Sequence, residues 1–181
     1  MGQQNVVIAG FGGQGVMLVG ELLAYAGMIE GKHVTWVPSY GIEMRGGTAH
    51  CTVTIDDEEI NSPVAEEPES VIVFNGSSLE KFEPLLPEGG LLLINSAMVD
   101  RESERHDIRT YTIAANNIAD KLGNSQVSNI IMLGAFIELS GMVSMESVVN
   151  ALQQVLPERH HRLLPLNRQA LEMGAASVKT V

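Results

Sequence analysis

The sequence predicts an open α/β domain, and three observations support this fold class. Continuous apolar runs at Val6–Ala9, Val71–Phe74 and Leu91–Asn95 have the length expected of buried parallel strands. The first run leads through a glycine-rich turn into an apolar helical segment, as in a strand–turn–helix unit. The last third of the chain carries helix signals. We therefore expect one open domain with a mostly parallel sheet, an antiparallel hairpin and a helical C-terminal third.

Periodicity and turn residues predict the remaining elements of the first two thirds. Apolar residues recur at helical spacing after the first strand, which predicts a helix from about Gln14 to Glu30. A strand is predicted at Thr48–Ile55, and Asp56-Asp57 turns it into a short antiparallel return strand at Glu58–Ile60. The other predictions are strands at His33–Val37 and Arg109–Ile113, a short helix capped by Ser77 or Ser78 that stops before Pro87, and a helix at Ala114–Leu122 that ends at Gly123.

Three helices are predicted in the C-terminal third. Ser128–Leu139 is apolar nearly all round, so we expect it to be buried. Ser144 caps a second helix, which is stopped by Pro157. The last helix begins near Pro165, a residue suited to the first helical turn, and continues to about Ala176.

Composition limits the classes of function. The 181 residues are 45% hydrophobic, which suffices for a buried core, and we expect residues 1–181 to form a single domain. We expect no membrane span and no signal peptide, because no apolar run is long enough and the N-terminus lacks a basic region. A single cysteine argues against a disulfide framework and favours a reducing cytoplasm. The net charge of −11 disfavours nucleic acid as a partner.

The glycine turn after the first strand has the spacing G-x-G-x-x-G. Gly10, Gly12 and Gly15 allow a tight turn and the close approach of another group. The helix that follows offers unpaired N–H groups, which suit an anion. A dinucleotide site also needs an acidic residue at the end of the second strand, which here reads Pro38-Ser39-Tyr40-Gly41. The turn therefore has two interpretations: it is purely structural, or it contacts an anion or a cofactor. The missing acidic residue disfavours NAD as that cofactor.

A second glycine-flanked motif narrows these interpretations. The loop from Tyr40 to Gly47 contains Gly41-x-Glu43-Met44-Arg45-Gly46-Gly47 and leads into a strand. Together with Gly12-Gly13-Gln14-Gly15, it resembles the gamma subunit of 2-oxoacid:ferredoxin oxidoreductases, which is equivalent to one domain of the single-chain pyruvate enzymes. The 2-oxoglutarate and branched-chain types are the more similar. The resemblance extends over nearly the whole chain through Asn61-Ser62-Pro63, through Asn129 before Met132-Leu133-Gly134-Ala135, and through Asn167, Ala170 and Gly174.

The resemblance implies a subunit of a larger enzyme. In this family a 2-oxoacid is decarboxylated on thiamine diphosphate, electrons pass to iron–sulfur clusters and ferredoxin, and the acyl group goes to coenzyme A. A four-iron cluster takes four thiolates and this chain has one cysteine; it also lacks the Gly-Asp-Gly of the usual thiamine diphosphate and magnesium signature. We therefore expect no cofactor on this chain alone. The implied partners are thiamine-binding and other catalytic subunits, and a ferredoxin-like subunit or ferredoxin.

The resemblance also implies which residues face the catalytic subunits, although none is assigned a catalytic role. The glycine turn and the Tyr40–Gly47 loop are expected to meet a partner subunit or an anionic group, either a phosphate or a carboxylate. For Glu43 and Arg45, a local ion pair is the alternative. The candidate contact residues are Gly12, Gly13, Gln14, Gly15, Glu43, Arg45, Gly46 and Gly47. We expect no metal ligand in this chain.

Two other functions compete with this interpretation. One is a subunit of the related indolepyruvate:ferredoxin oxidoreductase, and the other is a stand-alone oxidoreductase that binds NAD or FAD. A nucleophile and base at Cys51 and His50 is disfavoured, because neighbours on a strand point to opposite faces. We expect Cys51 to be a buried structural residue.

Overall fold

A single sheet with helices on both faces organises the chain. The computed structural model describes residues 2–40, 47–60 and 67–178. The strands in these ranges are β1 (Gln4–Phe11), β2 (His33–Tyr40), β3 (Thr48–Asp56), β4 (Ser70–Val73), β5 (Leu91–Asn95) and β6 (Arg109–Ile113). The helices are α1 (Val16–Ile29), α2 (Gly76–Phe82), α3 (Ala115–Lys121), α4 (Ser128–Ser140), α5 (Met145–Val155) and α6 (Leu164–Val178). None of these helices is long and apolar enough to cross a membrane.

The strands form a six-stranded sheet in the order β2-β3-β1-β4-β5-β6. The pairs β1–β4, β4–β5 and β5–β6 are parallel, whereas β3 runs antiparallel to both β1 and β2. The predicted α/β class, with a mostly parallel sheet and a helical C-terminal third, is therefore confirmed.

The predicted return strand after β3 is wrong. The described segment 58–60 forms no strand, and the antiparallel partners of β3 are β1 and β2. Val53, for example, lies opposite Val6 on one side and Trp36 on the other. Both hydrogen-bonding edges of β3 are occupied, so a return strand has no edge to pair with.

Different helices cover the two faces of the sheet. One face packs against α1, α4, α5 and α6 and buries residues such as Ile8, Val53 and Leu93. The other face packs against α2 and buries Val7 and Val73. The connections that follow β1 and β4 therefore leave the sheet toward opposite faces. This arrangement opens a crevice at the carboxyl ends of these two strands.

Side-chain caps define where two of the helices begin. Ser144 caps α5 as predicted, because its Oγ accepts a hydrogen bond from the Ser147 N–H at 3.1 Å. The predicted cap of α2 is wrong, because Asn75 takes the place of Ser77 or Ser78. Its Oδ1 accepts from the Ser78 N–H at 2.8 Å. Asparagine is as good a cap as serine, and Asn75 is the last residue in extended conformation after β4.

The helices α4 and α6 approach each other through two glycines. A Cβ on Gly134 would lie 2.7 Å from the Leu171 carbonyl carbon, and one on Gly174 would lie 3.0 Å from the Ala135 nitrogen. The two backbones are thus in direct contact. The α4 helix is buried along most of its length, as predicted.

Candidate functional site

The β1–α1 turn lies in the crevice at the carboxyl ends of β1 and β4. The chain continues from β1 toward β3 and β2 on one side of the sheet, whereas β4, β5 and β6 extend the other side. In open α/β sheets, ligands bind at such a reversal of strand order. The glycine motif found in the sequence therefore occupies the position where this fold class places its sites.

The glycines of the turn meet two different physical requirements. Gly13 and Gly15 have φ values of +99° and +77°, in the left-handed region that favours glycine. Gly10 instead needs space, because a Cβ there would lie 2.6 Å from the Gln14 Oε1 and 3.0 Å from the Phe74 Cβ. The predicted tight turn with close backbone approach is confirmed.

The Gln14 side chain connects the turn to the ends of two strands. Its Oε1 accepts from the Phe11 N–H at 2.7 Å and from the Asn75 Nδ2 at 3.2 Å. Its Nε2 donates to the Phe74 carbonyl at 3.1 Å. These bonds make Gln14 a positioning residue for the turn, and its contact with any external group stays a prediction.

A pocket of about 480 Å³ opens beside the turn. Gly13, Gln14 and Gly15 line one wall, and the start of α4 forms another. Its lining mixes the apolar side chains of Leu18, Phe74 and Met98 with polar ones, and none of the lining residues carries a charge. The polar lining residues outside the turn are Asn95, Asn116, Ser125, Gln126, Ser128 and Asn129.

The N-terminus of α1 faces this pocket without a side-chain cap. Gly15 is the N-cap residue and has no side chain to accept from the first amides, and the first turn contains no acidic residue. The partial positive charge of the helix end is therefore not neutralised locally. A phosphate or carboxylate bound here would accept hydrogen bonds from backbone N–H groups.

Asn129 packs against the turn at a distance that only a glycine at position 15 allows. A Cβ on Gly15 would lie 2.8 Å from the Asn129 Cγ, so the glycine makes room for the amide. The Asn129 Nδ2 donates to the Gly15 carbonyl at 3.3 Å. The side chain is 4% exposed, and its Oδ1 is buried without a hydrogen-bond partner in the described part of the chain.

The structure brings the two glycine motifs into contact. The Gly12 N–H donates to the Gly47 carbonyl at 3.0 Å. Tyr40, the first residue of the loop, and Gly12 line a second pocket of about 270 Å³ beside the turn. Glu43, Arg45 and Gly46 lie outside the described residues. The end of the loop is thus joined to the turn, and the loop's own contacts stay a prediction.

Cys51 is a buried residue and does not pair with His50. Burial raises the pKa of the Cys51 thiol to about 12, although the Trp36 side chain and the Gly20 backbone act in the opposite direction. His50 points to the opposite face, where its ring lies 5.0 Å from that of Phe82. Burial and the nearby Lys81 charge lower the pKa of His50. The predicted burial of Cys51 is confirmed.

The described residues form neither a metal centre nor the usual dinucleotide site. No group of three or more histidine, cysteine, aspartate or glutamate side chains there can hold a metal ion. In the usual dinucleotide fold the second strand lies beside the first and carries the ribose-binding acid at its end. Here β3 separates β2 from β1, and β2 ends at Tyr40.

Relatives of this chain share both its sequence and its fold. The family model described as pyruvate ferredoxin/flavodoxin oxidoreductase matches residues 5–177. The chain is 37% identical over 173 residues to ketoisovalerate oxidoreductase subunit VorA of Methanothermobacter marburgensis, covering 94% of this chain and 36% of VorA. It therefore spans only about a third of the length of that relative. The 2-oxoglutarate synthase subunit KorC of the same organism is 33% identical over 162 residues, covering 86% of this chain and 87% of KorC.

A solved structure of a gamma subunit has the same fold as this chain. The crystal structure of the keto/oxoacid ferredoxin oxidoreductase gamma subunit from Geobacter sulfurreducens superposes with a TM-score of 0.84 at 29% identity. It covers 98% of this chain and 99% of the Geobacter chain. The resemblance predicted from the two glycine motifs is confirmed, and the chain belongs to the pyruvate ferredoxin/flavodoxin oxidoreductase family.

Proposed function

We propose that this chain is the gamma subunit of a multi-subunit 2-oxoacid:ferredoxin oxidoreductase, which oxidatively decarboxylates a 2-oxoacid to an acyl-coenzyme A. The similarity to KorC over 87% of that subunit, and to the Geobacter gamma subunit over 99% of its length, supports this assignment. The role of the chain is structural and site-completing. We assign it no catalytic residue.

The junction of the two glycine motifs carries the proposal. The Gly12–Gly47 hydrogen bond joins the turn to the end of the Tyr40–Gly47 loop at the carboxyl end of β1. Tyr40, the last residue of β2, is 56% exposed there. We propose that the turn and the Tyr40–Gly47 loop form one surface, and that this surface faces the catalytic subunits.

The redox and thiamine cofactors of the reaction do not fit this chain. An iron–sulfur cluster needs several thiolates, and Cys51 supplies one thiol that is buried and whose pKa is raised. The described residues also offer no cluster of ligands for the magnesium ion that accompanies thiamine diphosphate. We propose that thiamine-binding and other catalytic subunits, with a ferredoxin-like subunit or ferredoxin, hold these groups.

An anionic group of a substrate or partner does fit the turn. The uncapped α1 N-terminus offers donors to a phosphate or carboxylate. We propose that the Gly13 and Gly15 backbones supply this contact, because the Gly12 N–H already donates to the Gly47 carbonyl, and that Arg45 approaches the same region from the loop. Coenzyme A, which accepts the acyl group, carries phosphates of this kind.

Three further properties stay predictions from composition and pattern. They are a cytoplasmic location, the absence of nucleic-acid and membrane partners, and a single domain over residues 1–181.

The test is assembly with partner subunits. The chain, expressed with a tag in its native host, is expected to co-purify with a thiamine-binding polypeptide and a ferredoxin-like polypeptide. The isolated chain is expected to be colourless and inactive, and oxoacid-dependent dye reduction is expected to require the whole complex. Dye reduction by the isolated chain, or several iron atoms bound per chain, would contradict the proposal.

The rival functions are disfavoured by specific observations. The position of β3 between β1 and β2 removes the geometry that NAD or FAD binding needs. The relatives VorA and KorC belong to ketoisovalerate and 2-oxoglutarate enzymes and not to an indolepyruvate enzyme. Co-purification with one long chain that carries both thiamine and cluster motifs would instead favour the indolepyruvate system.

A further inference from the structure

A short basic segment connects α5 to α6. The chain there forms a 3₁₀ helix at Glu158–Leu163, which carries two arginines and two histidines at the consecutive positions 159–162. We call this helix the basic arm. The chain as a whole has 22 acidic residues and only 11 lysines and arginines. A concentration of cations on the surface of so acidic a chain favours contact with negative charge on another molecule.

The basic arm is held in place by its own backbone and by His161. The His160 N–H donates to the Pro157 carbonyl at 2.7 Å. The His161 Nε2 lies 2.8 Å from the carbonyl oxygen of Leu156, the C-cap residue of α5. Because a carbonyl only accepts hydrogen bonds, this ring nitrogen carries the proton and donates it. The arm is therefore fixed to the end of α5 and presents its other side chains in a defined arrangement.

The geometry of a 3₁₀ helix gives the basic arm two different sides, because residues three positions apart eclipse each other. His160 and Leu163 share one side and, with Leu18 of α1, line a small pocket of about 120 Å³. Arg159 and Arg162 share another side and are exposed. With a rise of about 2 Å per residue, these two arginines are separated by about 6 Å along the helix axis.

These two arginines differ from others in the chain. Arg101, Arg105 and Arg168 each form an ion pair with a carboxylate of this chain. Within the described ranges, neither Arg159 nor Arg162 has such a carboxylate partner. Both guanidinium groups are therefore available to carboxylates of another molecule, which they can bind through paired hydrogen bonds.

A partly apolar groove lies between the two helices that the basic arm connects. It has a volume of about 320 Å³, and its apolar lining comes from Val149 and Leu152 of α5 and from Leu164 and Pro165 of α6. Leu164 directly follows the arm. A phosphate compound would use the two cations but would leave this groove empty. A protein segment with an apolar side chain beside its carboxylates would use both features.

The basic arm lies at the same end of the fold as the glycine turn. Leu18, Gln126 and Asn129 line both the pocket beside the turn and the small pocket against the arm. The arm is therefore adjacent to the surface that we proposed to face the catalytic subunits.

We propose that the basic arm and the groove bind an acidic segment of a partner subunit. Carboxylates of that segment pair with Arg159 and Arg162, and an apolar side chain next to them fills the groove. Two acidic residues three or four positions apart on a partner helix have a spacing of about 5–6 Å, which matches that of the two arginines. This inference rests on the proposed function, because it identifies a docking surface for one of the subunits of that complex.

The resistance of the complex to salt tests the charges. The tagged chain is purified with its partner subunits, and the complex is washed at increasing salt concentrations. Arg162→Glu is expected to lower the salt concentration that releases half of the partner by about twofold or more, because the reversed charge repels the carboxylates. The control Arg109→Glu makes the same change at an exposed position at the amino end of β6 and is expected to leave the release unchanged. Equal release from the two variants would overturn the proposal.

A second pair of variants tests the groove. Gln153 is exposed and lines the groove, so Gln153→Trp is expected to block it and to reduce retention of the partner even at low salt. Gln3→Trp, at an exposed position before β1, is the matched control and should retain the partner like the unsubstituted chain. Full retention by Gln153→Trp would exclude the groove from the docking surface.

Cross-linking of the native complex identifies the group that the basic arm contacts. Arg162→Lys keeps the positive charge and supplies an amine, which a carbodiimide couples to a carboxylate in contact with it. We expect a cross-link at position 162 to a partner peptide that contains acidic residues beside an apolar one. A cross-link only to carboxylates of this chain, or none at position 162, would overturn the proposal.

Kinetics of the complex distinguish the docking surface from a phosphate site. An increase in the KM for coenzyme A in Arg162→Glu, with the salt resistance of the complex unchanged, would assign the basic arm to a phosphate and overturn docking. Co-purification of the unsubstituted chain tests the proposed function. The variants test only this surface, so the two failures are distinguishable.

Discussion

Glycine is required for different physical reasons at the α4–α6 crossing and at the β1–α1 turn. At the crossing, Gly134 and Gly174 have ordinary helical backbones, and their missing Cβ atoms allow the two helices to touch. At the turn, Gly13 has a φ of +99° and an added Cβ would meet nothing within 4 Å. The crossing requires space, whereas Gly13 of the turn requires a backbone conformation.

This difference separates stability from function. The atoms that surround Gly134 and Gly174 belong to the protein core, so a change there acts on folding. The atoms near Gly13 and Gly15 border a pocket, so a change there acts on what the pocket binds as well as on the stability of the turn. Substitutions at the two regions should therefore have different effects on the isolated chain, with the largest loss of stability at the crossing.

The largest effect is expected at the crossing. Gly134→Ala places a Cβ against the Leu171 backbone, which has no rotamer to escape into, so the helices must separate. We expect a loss of about 3 kcal/mol or more, a large part of the stability of a typical domain. Urea unfolding measures it. Gly76→Ala is the matched control, because a Cβ there meets nothing within 4 Å, and similar stability in both variants would contradict the prediction.

Gly15→Val is expected to damage both stability and assembly. The left-handed conformation costs about 1–2 kcal/mol for a residue with a Cβ, and the Asn129 amide must also move. Thermal unfolding of the isolated chain and co-purification with the partner subunits measure the two effects separately. A variant that melts and assembles like the parent chain would show that Gly15 is dispensable.

Gly13→Ala isolates the conformational requirement. The substitution meets no neighbouring atom, so we expect only the cost of the left-handed conformation, about 1–2 kcal/mol. Gly13→Asn should recover part of this loss, since asparagine tolerates that conformation better. If alanine and asparagine destabilise equally, the positive φ is not the cause.

A polar contact fastens the far end of α1 and predicts a pH effect. Burial alone would raise the pKa of Glu30, but hydrogen bonds from the Ser144 backbone, Ser147, Lys32 and the Ser144 side chain together lower it. Because the pKa in the folded state is the lower one, this contribution is complete above the ordinary glutamate value of about 4.3 and is lost as the pH falls below it.

Unfolding measured against pH tests this contact. Glu30→Gln should reduce stability at neutral pH and weaken its dependence on pH in the acid range. Glu88→Gln, at an exposed loop position, provides the control and should leave that dependence unchanged. Unaltered acid sensitivity in the Glu30 variant would rule out its contribution.

Arg45→Ala is expected to have the smallest effect on the isolated chain. An exposed ion pair with Glu43 would contribute at most about 1 kcal/mol, so the melting temperature should hardly change. In an interface, removal of the guanidinium would cost about 2–5 kcal/mol of binding and would weaken assembly or raise the KM for coenzyme A or oxoacid. Arg45→Lys should not restore the lost binding, because lysine cannot form the paired hydrogen bonds of a guanidinium. A large loss of stability with normal assembly would make Arg45 an internal tether.

The sequence alone predicted the features that depend on neighbouring residues. Continuous apolar runs predicted β1, β4 and β5, the Ser144 cap predicted the start of α5, and the glycine spacing predicted a tight turn between β1 and α1. The two glycine motifs also predicted the family correctly. Each of these signals is local, because strand periodicity, capping and positive φ are properties of a few consecutive residues.

Only the tertiary structure decided which distant groups meet. Asn129 and Gly15 are 114 residues apart, and although Asn129 was part of the family resemblance, no local pattern indicated its contact with the turn. The position of β3 between β1 and β2, which makes the predicted return strand wrong, depends on which strand edges are free once the sheet forms. Periodicity specifies the face of each element, but pairing and pocket formation depend on the competition among all elements for those faces and edges.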